Sequence, residues 1–315
     1  MLFRSVFHGD IDLSNAATLD IGTVSVNATF GNDETDGLDL ANTATFTLGA
    51  VTGALVIHGS LVNDSSMAPA VTIGTSASAV FGTNTNSAHE INDGGVLVGA
   101  IAGALTIHGS VTLDGGDWDF GTVGTNATIG NNSTDNLTIV GAGDQFVLGN
   151  LTGGFFLLNG NLVNGGTFTI GTVNTAATFG TDANSHHQLS AASVSTVGTI
   201  GTNLTIHGSV TLAGTASWGF ANVTAGSVTI GNDASNDLTV PAGTSFDIDT
   251  IGTTFTLNGD LVSGGTVGIA DGTTIGGAAT FGFDATASHS LTAGTVTVGD
   301  ITGTATIRGD VSITG

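Results

Sequence analysis

The sequence predicts an all-β fold: a right-handed parallel β-helix (β-solenoid) of about 12 coils, with about 25 residues and three short strands in each coil. Three observations predict it. A short apolar motif recurs at a nearly constant interval, Gly is abundant while charged residues are scarce, and runs of strand-forming residues are closed by Gly, Asn or Asp. Units that repeat in this way bury their apolar faces against one another, so the chain is expected to form a stack.

The recurring motif is a hydrophobic residue, then Thr or an aliphatic residue, then a second hydrophobic residue. It occurs thirteen times, and its last residues span 300 positions in twelve steps, which gives a mean period of 25. Those last residues are Phe7, Phe30, Ile57, Phe81, Ile107, Ile129, Leu158, Phe179, Ile206, Ile230, Leu257, Phe281 and Ile307. Alternate copies read T-I-H-G or a variant of it, and the others read T-F-G or T-I-G. The pattern predicts three super-repeats of about a hundred residues, each with four coils.

Composition supports strands and excludes other classes. With 51 Gly and only 9% charged residues, the chain is too glycine-rich for helices and too apolar for disorder. Val, Ile, Thr and Phe alternate in short runs such as Phe168-Thr169-Ile170, and about three such runs fit in one period. Because the connections between parallel strands are crossovers longer than a hairpin, the coil is predicted to be right-handed.

Stacked coils place equivalent residues about 4.8 Å apart along the axis, so the columns matter more than linear motifs. From the second copy onward, the first residue of the motif is always apolar, and we expect it to face inward. The middle residue faces outward and is Thr in nine of thirteen copies. A second Thr column beside it would indicate ice binding, but that position is irregular, so β-propensity explains the Thr residues.

The excess of acidic over basic residues limits the classes of molecule that the chain can bind. Against 25 acidic residues stand only Arg4 and Arg308, which gives a formal net charge of −23. Nucleic acids and anionic membrane surfaces are bound through Lys and Arg, so both are excluded as partners. No apolar run is long enough to cross a membrane, and Val96 to Leu105 comes nearest. The acidic residues are spread over the turns, which predicts a solvated surface that keeps rods apart.

Oxygen-rich turns are the candidate metal sites. Asp33 and Asp36 crowd one turn, and Asp233 with Asp237 repeats part of the pattern two hundred residues later. Calcium is the cation that such oxygen ligands suit, and no other cofactor is predicted. The nonapeptide of calcium-binding β-rolls is absent, and copies four coils apart, about 19 Å, cannot share one ion.

The histidines form two sets, and neither has zinc geometry. One set recurs in the T-I-H-G motif on every second coil at best, about 9.6 Å apart, and the other recurs every four coils. The first set is His58, His108 and His207, and the second is His89, His187 and His289. Asn159, Asn258 and Arg308 replace members of the first set, so we expect that set to be solvent-exposed turn residues.

Two D-x-D pairs are the candidates for catalysis. Asp117 with Asp119, and Asp247 with Asp249, each place two carboxylates on one face of a strand, roughly 7 Å apart. That separation suits an inverting glycosidase. However, any D-x-D in a strand has this spacing, and the sequence lacks an aromatic platform around either pair, a lyase base and a nucleophile motif. We therefore expect a protein that is not an enzyme.

The stretches Ile129–Ile139 and Ile230–Val240 resemble the G-N/D-x-x-x-D-x-L-T-V-x-G repeats of phage tail-fibre shafts and of large bacterial surface adhesins, including autotransporter-like passengers. The resemblance covers almost the whole chain. It implies an extracellular, cell-surface or virion location and a non-catalytic role as a structural or adhesive rod. The alternatives left open are a tail-fibre shaft that contacts host glycans and a β-helix enzyme that degrades polysaccharides.

The domain prediction has two parts. Residues 1–5 lie outside the repeat, and residues 6–315 form a single solenoid domain. Both ends lack a polar cap, so we expect the chain to be a fragment of a longer protein. Uncapped strand edges also leave homo-oligomers or end-to-end association open. A surface glycan or a host receptor is the expected partner.

Overall fold

The computed structural model describes residues 5–190 and 192–314, and these form a parallel β-solenoid of about 12 turns. Three parallel sheets run along it. Sheets A and B have 13 strands each and sheet C has 12, and in every sheet each strand pairs with the strand three positions earlier and three positions later. One coil therefore contributes one strand to each sheet in the order A, B, C. The predicted fold class is confirmed, while the right-handed sense of the coil stays a prediction.

The strands are short and evenly distributed. Coils 1 to 4 contain β1 (Ser5–Phe7), β2 (Ile11–Leu13), β3 (Thr18–Ile21), β4 (Ala28–Phe30), β5 (Leu38–Asn42), β6 (Thr45–Leu48), β7 (Ala54–Ile57), β8 (Leu61–Ser65), β9 (Val71–Ile73), β10 (Ser78–Phe81), β11 (Ala88–Ile91) and β12 (Gly95–Val98). Coils 5 to 8 contain β13 (Leu105–Ile107), β14 (Ser110–Leu113), β15 (Asp117–Phe120), β16 (Ala127–Ile129), β17 (Leu137–Ile139), β18 (Gln145–Leu148), β19 (Phe156–Leu158), β20 (Leu162–Asn164), β21 (Thr167–Ile170), β22 (Ala177–Phe179), β23 (His186–Leu189) and β24 (Val194–Val197). Coils 9 to 12 and the two last strands contain β25 (Leu204–Ile206), β26 (Ser209–Leu212), β27 (Ser217–Val223), β28 (Val228–Ile230), β29 (Leu238–Val240), β30 (Ser245–Ile251), β31 (Phe255–Leu257), β32 (Leu261–Ser263), β33 (Thr266–Ile275), β34 (Ala279–Phe281), β35 (Ser288–Thr292), β36 (Thr295–Ile301), β37 (Ala305–Ile307) and β38 (Asp310–Thr314).

The repeated motif forms sheet A, and its register follows the predicted columns. Leu105 pairs with Ala127, Thr106 with Thr128 and Ile107 with Ile129, so like residues stack on like. The first and third positions are buried and the middle position is partly exposed, as alternation along a strand requires. Ala305 pairs with the buried Ala279 in the same column but is itself exposed, because no further coil covers β37 in the described residues.

The core is one continuous apolar spine. Trp118, Phe146 and Phe168 lie in the same inward column of sheet C, and the rings of Phe146 and Phe168 stack with centroids 5.9 Å apart. Each ring is fully buried. Because a coil buries its apolar face against its two neighbours rather than in a globular interior, burial repeats with every coil.

Sheet C changes character along the rod. In coils 2 to 8 its strands have three or four residues, whereas β27, β30, β33 and β36 have 7 to 10 and continue around the corner toward sheet A. The pairing of β30 with β33 shifts register between Ile248 and Ile251, where β33 carries extra residues. The described residues contain no helix long and apolar enough to cross a membrane.

The glycine after the motif closes the turn from sheet A to sheet B. Gly109 has φ of +76°, and a Cβ placed there would lie 1.8 Å from the carbonyl oxygen of Ser87 in the preceding coil. Positive φ and the close backbone approach both require glycine. The choice of glycine at this turn is therefore required by the close approach of the neighbouring coil as well as by the local backbone conformation.

We predict that Gly109→Ala lowers the free energy of unfolding by at least about 2 kcal/mol, since the methyl group forces the two coils apart. Gly143→Ala is the matched control, because a Cβ there meets nothing within 4 Å and its φ is not positive. Chemical denaturation followed by circular dichroism measures both variants. Equal effects of the two substitutions would contradict the role assigned to Gly109.

Candidate functional sites along the rod

The predicted calcium residues lie in the turns that join sheet A to sheet B. In five of these turns, those that follow Phe30, Phe81, Ile129, Phe179 and Ile230, one Asx side chain accepts a hydrogen bond from the residue two positions later, and a second side chain accepts from an N–H four positions earlier. Asp33 accepts from the N–H and the hydroxyl of Thr35 at 2.9 and 2.7 Å, and Asp36 accepts from the N–H of Asn32 at 2.7 Å. Both carboxylates therefore stabilise the turn itself.

The second predicted pair is divided between two structural roles. Asp233 accepts from the N–H and the hydroxyl of Ser235 at 2.9 and 2.6 Å, which lowers the pKa of its carboxyl. Asp237 lies where sheet B begins and accepts from the N–H of Asp260 in the next coil at 2.9 Å. Burial raises the pKa of Asp237. Within residues 5–190 and 192–314, no three His, Cys, Asp or Glu side chains are grouped so that they could hold a metal ion. Calcium binding stays a prediction.

The histidines of the T-I-H-G motif are half-buried turn residues. The amide of Asn131 donates to Nδ1 of His108 at 2.8 Å, and Asn232 donates to Nδ1 of His207 at 2.7 Å. Nδ1 of His58 lies 3.1 Å from the hydroxyl of Thr83. Each contact joins one coil to the next, so these side chains link turns along the surface.

The second set of histidines lies in the core, which the sequence reasoning missed. His89, His187 and His289 are 1%, 0% and 4% exposed. The signal was present: these residues sit at an inward position of sheet B, where the other coils have Leu, Val or Ile, and they recur 98 and 102 residues apart. His186 and His187 point to opposite faces of β23, as predicted for strand neighbours, and only His187 is buried.

Each buried imidazole replaces a backbone acceptor. Its Nδ1 accepts the N–H of a leucine in the preceding coil, at 3.1 Å from Leu61, 3.0 Å from Leu162 and 3.0 Å from Leu261. Accepting at Nδ1 requires the neutral ring with its proton on Nε2. Burial in the apolar core lowers the pKa of His89 and of His187 to about 4.

The first D-x-D pair flanks a shallow recess on sheet C. Asp117 and Asp119 border a recess of about 250 Å³ whose other side is formed by Pro69 and Leu97. Burial raises the pKa of both carboxyls. Oδ1 of Asp119 is buried and has no hydrogen-bond partner among the described residues.

The second D-x-D pair lies where sheet C shifts register. Asp247 and Asp249 flank the buried Ile248, yet their carboxyls hydrogen-bond to each other at the point where β30 loses register with β33. Burial, the bond to Asp249 and the charges of Asp249 and Asp271 together raise the pKa of Asp247 to about 6. Gly268 makes room, since a Cβ there would lie 2.0 Å from Oδ1 of Asp247. The separation of roughly 7 Å that would suit an inverting glycosidase stays a prediction for this pair.

A groove lies along the corner between sheets C and A. It has a volume of about 560 Å³ and is lined by small residues, among them Ser76, Ala77 and Ala102. Ser76 occupies a column in which the neighbouring coils have Val51 and Ile101.

Comparison with protein-family models, with curated proteins and with solved structures finds no match for this chain. The likeness to fibre shafts and surface adhesins therefore rests on the quoted repeat motifs alone.

The calcium prediction has a direct test, because hydrogen bonds within the turns already use one carboxylate oxygen of Asp33 and of Asp233. EDTA leaves the melting temperature unchanged if those bonds are the only role of the two carboxylates, and lowers it if calcium binds there. A cation that binds only the folded chain would raise the melting temperature with its concentration. Thermal unfolding in EDTA and in millimolar calcium tests this. A calcium-dependent rise that Asp33→Asn abolishes would establish the calcium site.

We predict that Asp247→Asn stabilises the rod at pH 7.5 and not at pH 4. The raised pKa means that the folded state holds this proton more tightly than the unfolded state, so stability is present below the unfolded pKa and is lost as the pH rises through about 6. The Asn side chain of the variant carries no charge, so the variant does not lose this stability. We expect its free energy of unfolding at pH 7.5 to be higher by about 1 kcal/mol, after allowance for screening by solvent. Denaturation at both pH values measures the gain, and Asp20→Asn, on the same face of sheet C, is the control. A gain of equal size at pH 4 would contradict the assignment.

Proposed function

We propose that this chain is a non-catalytic structural and adhesive rod of an extracellular surface adhesin or fibre, at a cell surface or on a virion. One observation carries the proposal: three parallel sheets continue without a break through about 12 turns. Each coil adds about 4.8 Å of length, so twelve coils make a rod on the order of 58 Å. A fold that adds length with every repeat suits a stalk or a contact surface.

The outer faces support a partner rich in hydroxyl groups. The outward column of sheet A has Thr in consecutive coils from Thr178 to Thr306, and outward carboxylates and amides occur on the other sheets. Such groups hydrogen-bond to sugars, whereas a net charge of −23 repels nucleic acids and anionic lipids. We therefore propose a surface glycan or a host receptor as the partner. A tail-fibre shaft that contacts host glycans is the alternative within the same class.

A β-helix enzyme that degrades polysaccharides is the second candidate function, and one observation favours it. Asp247, with a pKa of about 6, lies beside Asp249 in a surface recess of about 170 Å³. A carboxyl that is partly protonated near neutral pH can act as a general acid, and its neighbour can act as a base. A catalytic role needs both carboxyls.

Immobilised neutral and acidic glycans distinguish these functions. We expect the whole chain to be retained on at least one glycan class without release of reducing ends, and Asp247→Asn to be retained equally. If the unmodified chain releases sugar and the Asp247→Asn variant does not, the chain is an enzyme that degrades polysaccharides and the non-catalytic function is wrong. Absence of retention on glycans and on host cells would overturn the adhesive role. Electron microscopy of the purified chain tests the rod separately from its ligand.

A further inference from the structure

The three buried histidines mark three special junctions between coils. His89 belongs to coil 4, His187 to coil 8 and His289 to coil 12, and each contacts the coil before it. The junctions are 3/4, 7/8 and 11/12. They recur with the four-coil super-repeat.

The backbone ladder of sheet B is incomplete at these junctions. At an ordinary junction the N–H of the inward residue donates to a backbone carbonyl, as Leu137 donates to Asn161 at 3.0 Å and Leu238 to Asp260 at 2.9 Å. At the special junctions the pairing starts only after the histidine, at Glu90, Gln188 and Ser290. The imidazole therefore accepts a hydrogen bond from a backbone N–H that has no carbonyl partner in the ladder.

Other buried polar groups lie at the same level. Asn63 and Asn164, two residues after Leu61 and Leu162, are both fully buried and face inward. The ring centroids of His89 and Trp118 are 5.6 Å apart, and those of His187 and Trp218 are 5.9 Å apart. The indole N–H groups of both tryptophans, and Nε2 of His187, have no hydrogen-bond partner among the described residues. Less of the apolar spine is available to hold these junctions together.

We propose that junctions 3/4 and 7/8 are acid-labile joints, at which protonation of His89 and His187 releases the leucine N–H and separates neighbouring coils. An imidazolium carries a proton on Nδ1, so it meets the N–H of Leu61 or Leu162 donor against donor. It would also place a positive charge against a buried leucine and a buried valine in the spine, away from water.

The titratable groups around the buried histidines differ between the junctions. The titratable groups facing His89 and His187 are other histidines: His108 for the first, and His186 and His207 for the second. None of them compensates a positive charge. An acidic residue, Asp237, faces His289, so the charges around junction 11/12 differ from those around the other two.

The sign of the effect follows from proton binding. An opened joint exposes an imidazole that takes up a proton below its ordinary pKa of about 6.5, whereas the closed joint takes it up only near a pKa of about 4. Acidification between these values favours opening. The opening equilibrium rises on the order of 50-fold between pH 7 and 4.5 for a joint that exposes one histidine.

Hydrogen exchange of single amides, followed by NMR in the whole chain, tests the joints. The N–H groups of Leu61 and Leu162 should lose protection on the order of 50-fold between pH 7 and 4.5, after correction for intrinsic exchange. The N–H groups of Leu137 and Leu238, which donate to backbone carbonyls, are the internal controls and should change little. An equal loss at all four amides would overturn the proposal.

Variants separate the histidines from a general effect of acid. In H89Q/H187Q the glutamine oxygen can accept the same N–H but cannot be protonated in this range, so the loss of protection should disappear. H8Q/H58Q removes two histidines outside the core and should leave the loss unchanged. Persistence of the loss in H89Q/H187Q would overturn the proposal. If that variant does not fold, the imidazole carbon shifts of the unmodified chain decide: titration of His89 or His187 near pH 6.5 in the folded rod excludes acid-labile joints.

Discussion

The structure depends on one interaction, the parallel hydrogen-bonded stacking of each coil on the one before it. The ladder fixes the distance between coils at about 4.8 Å, and that distance makes apolar side chains of equivalent positions touch in continuous columns. Trp118, Phe146 and Phe168 illustrate the result in sheet C. The same distance excludes a Cβ at Gly109, because the turn of one coil lies against the backbone of its neighbour. Backbone pairing, core packing and turn composition are thus three consequences of a single spacing.

Because the coils are so alike, the positions that depart from the pattern are the informative ones. They fall into two groups, one that faces the core from sheet B and one on the outer face of sheet C. Inward departures place His89 and His187 in an apolar column and recur with the super-repeat. The main outward departure is local: Asp247 and Asp249 meet where sheet C loses register and where Gly268 leaves space above them. The buried histidines recur along the rod, so their effect is repeated in several coils. The Asp247–Asp249 pair occurs once, so its effect is confined to one place on the surface.

Acid acts on these two groups in opposite directions. Protonation of Asp247 relieves repulsion among crowded carboxyls, and a chain with a net charge of −23 gains from any such relief. Protonation of the buried histidines costs a backbone hydrogen bond and buries a charge. The surface of the rod therefore becomes more stable as the pH falls through 6 while two of its inner junctions become weaker. A rod built in this way responds to acid locally instead of unfolding as a unit, as expected where each repeat contacts only its neighbours.

Periodicity and alternation are properties of the linear chain, so the amino-acid pattern was enough to predict the solenoid, its period, its three strands per coil and the inward and outward columns. It also indicated that His186 and His187 face opposite ways. Spatial neighbours could be identified only in the folded rod: His187 lies in the core beside Trp218, Asp33 and Asp233 cap their own turns, and the carboxyl of Asp249 helps to raise the pKa of Asp247. Each of these depends on which residue of the next coil lies opposite, or on a local shift of register. Contacts between coils are set by stacking, and a period of about 25 residues locates a column without specifying the partners of its polar members.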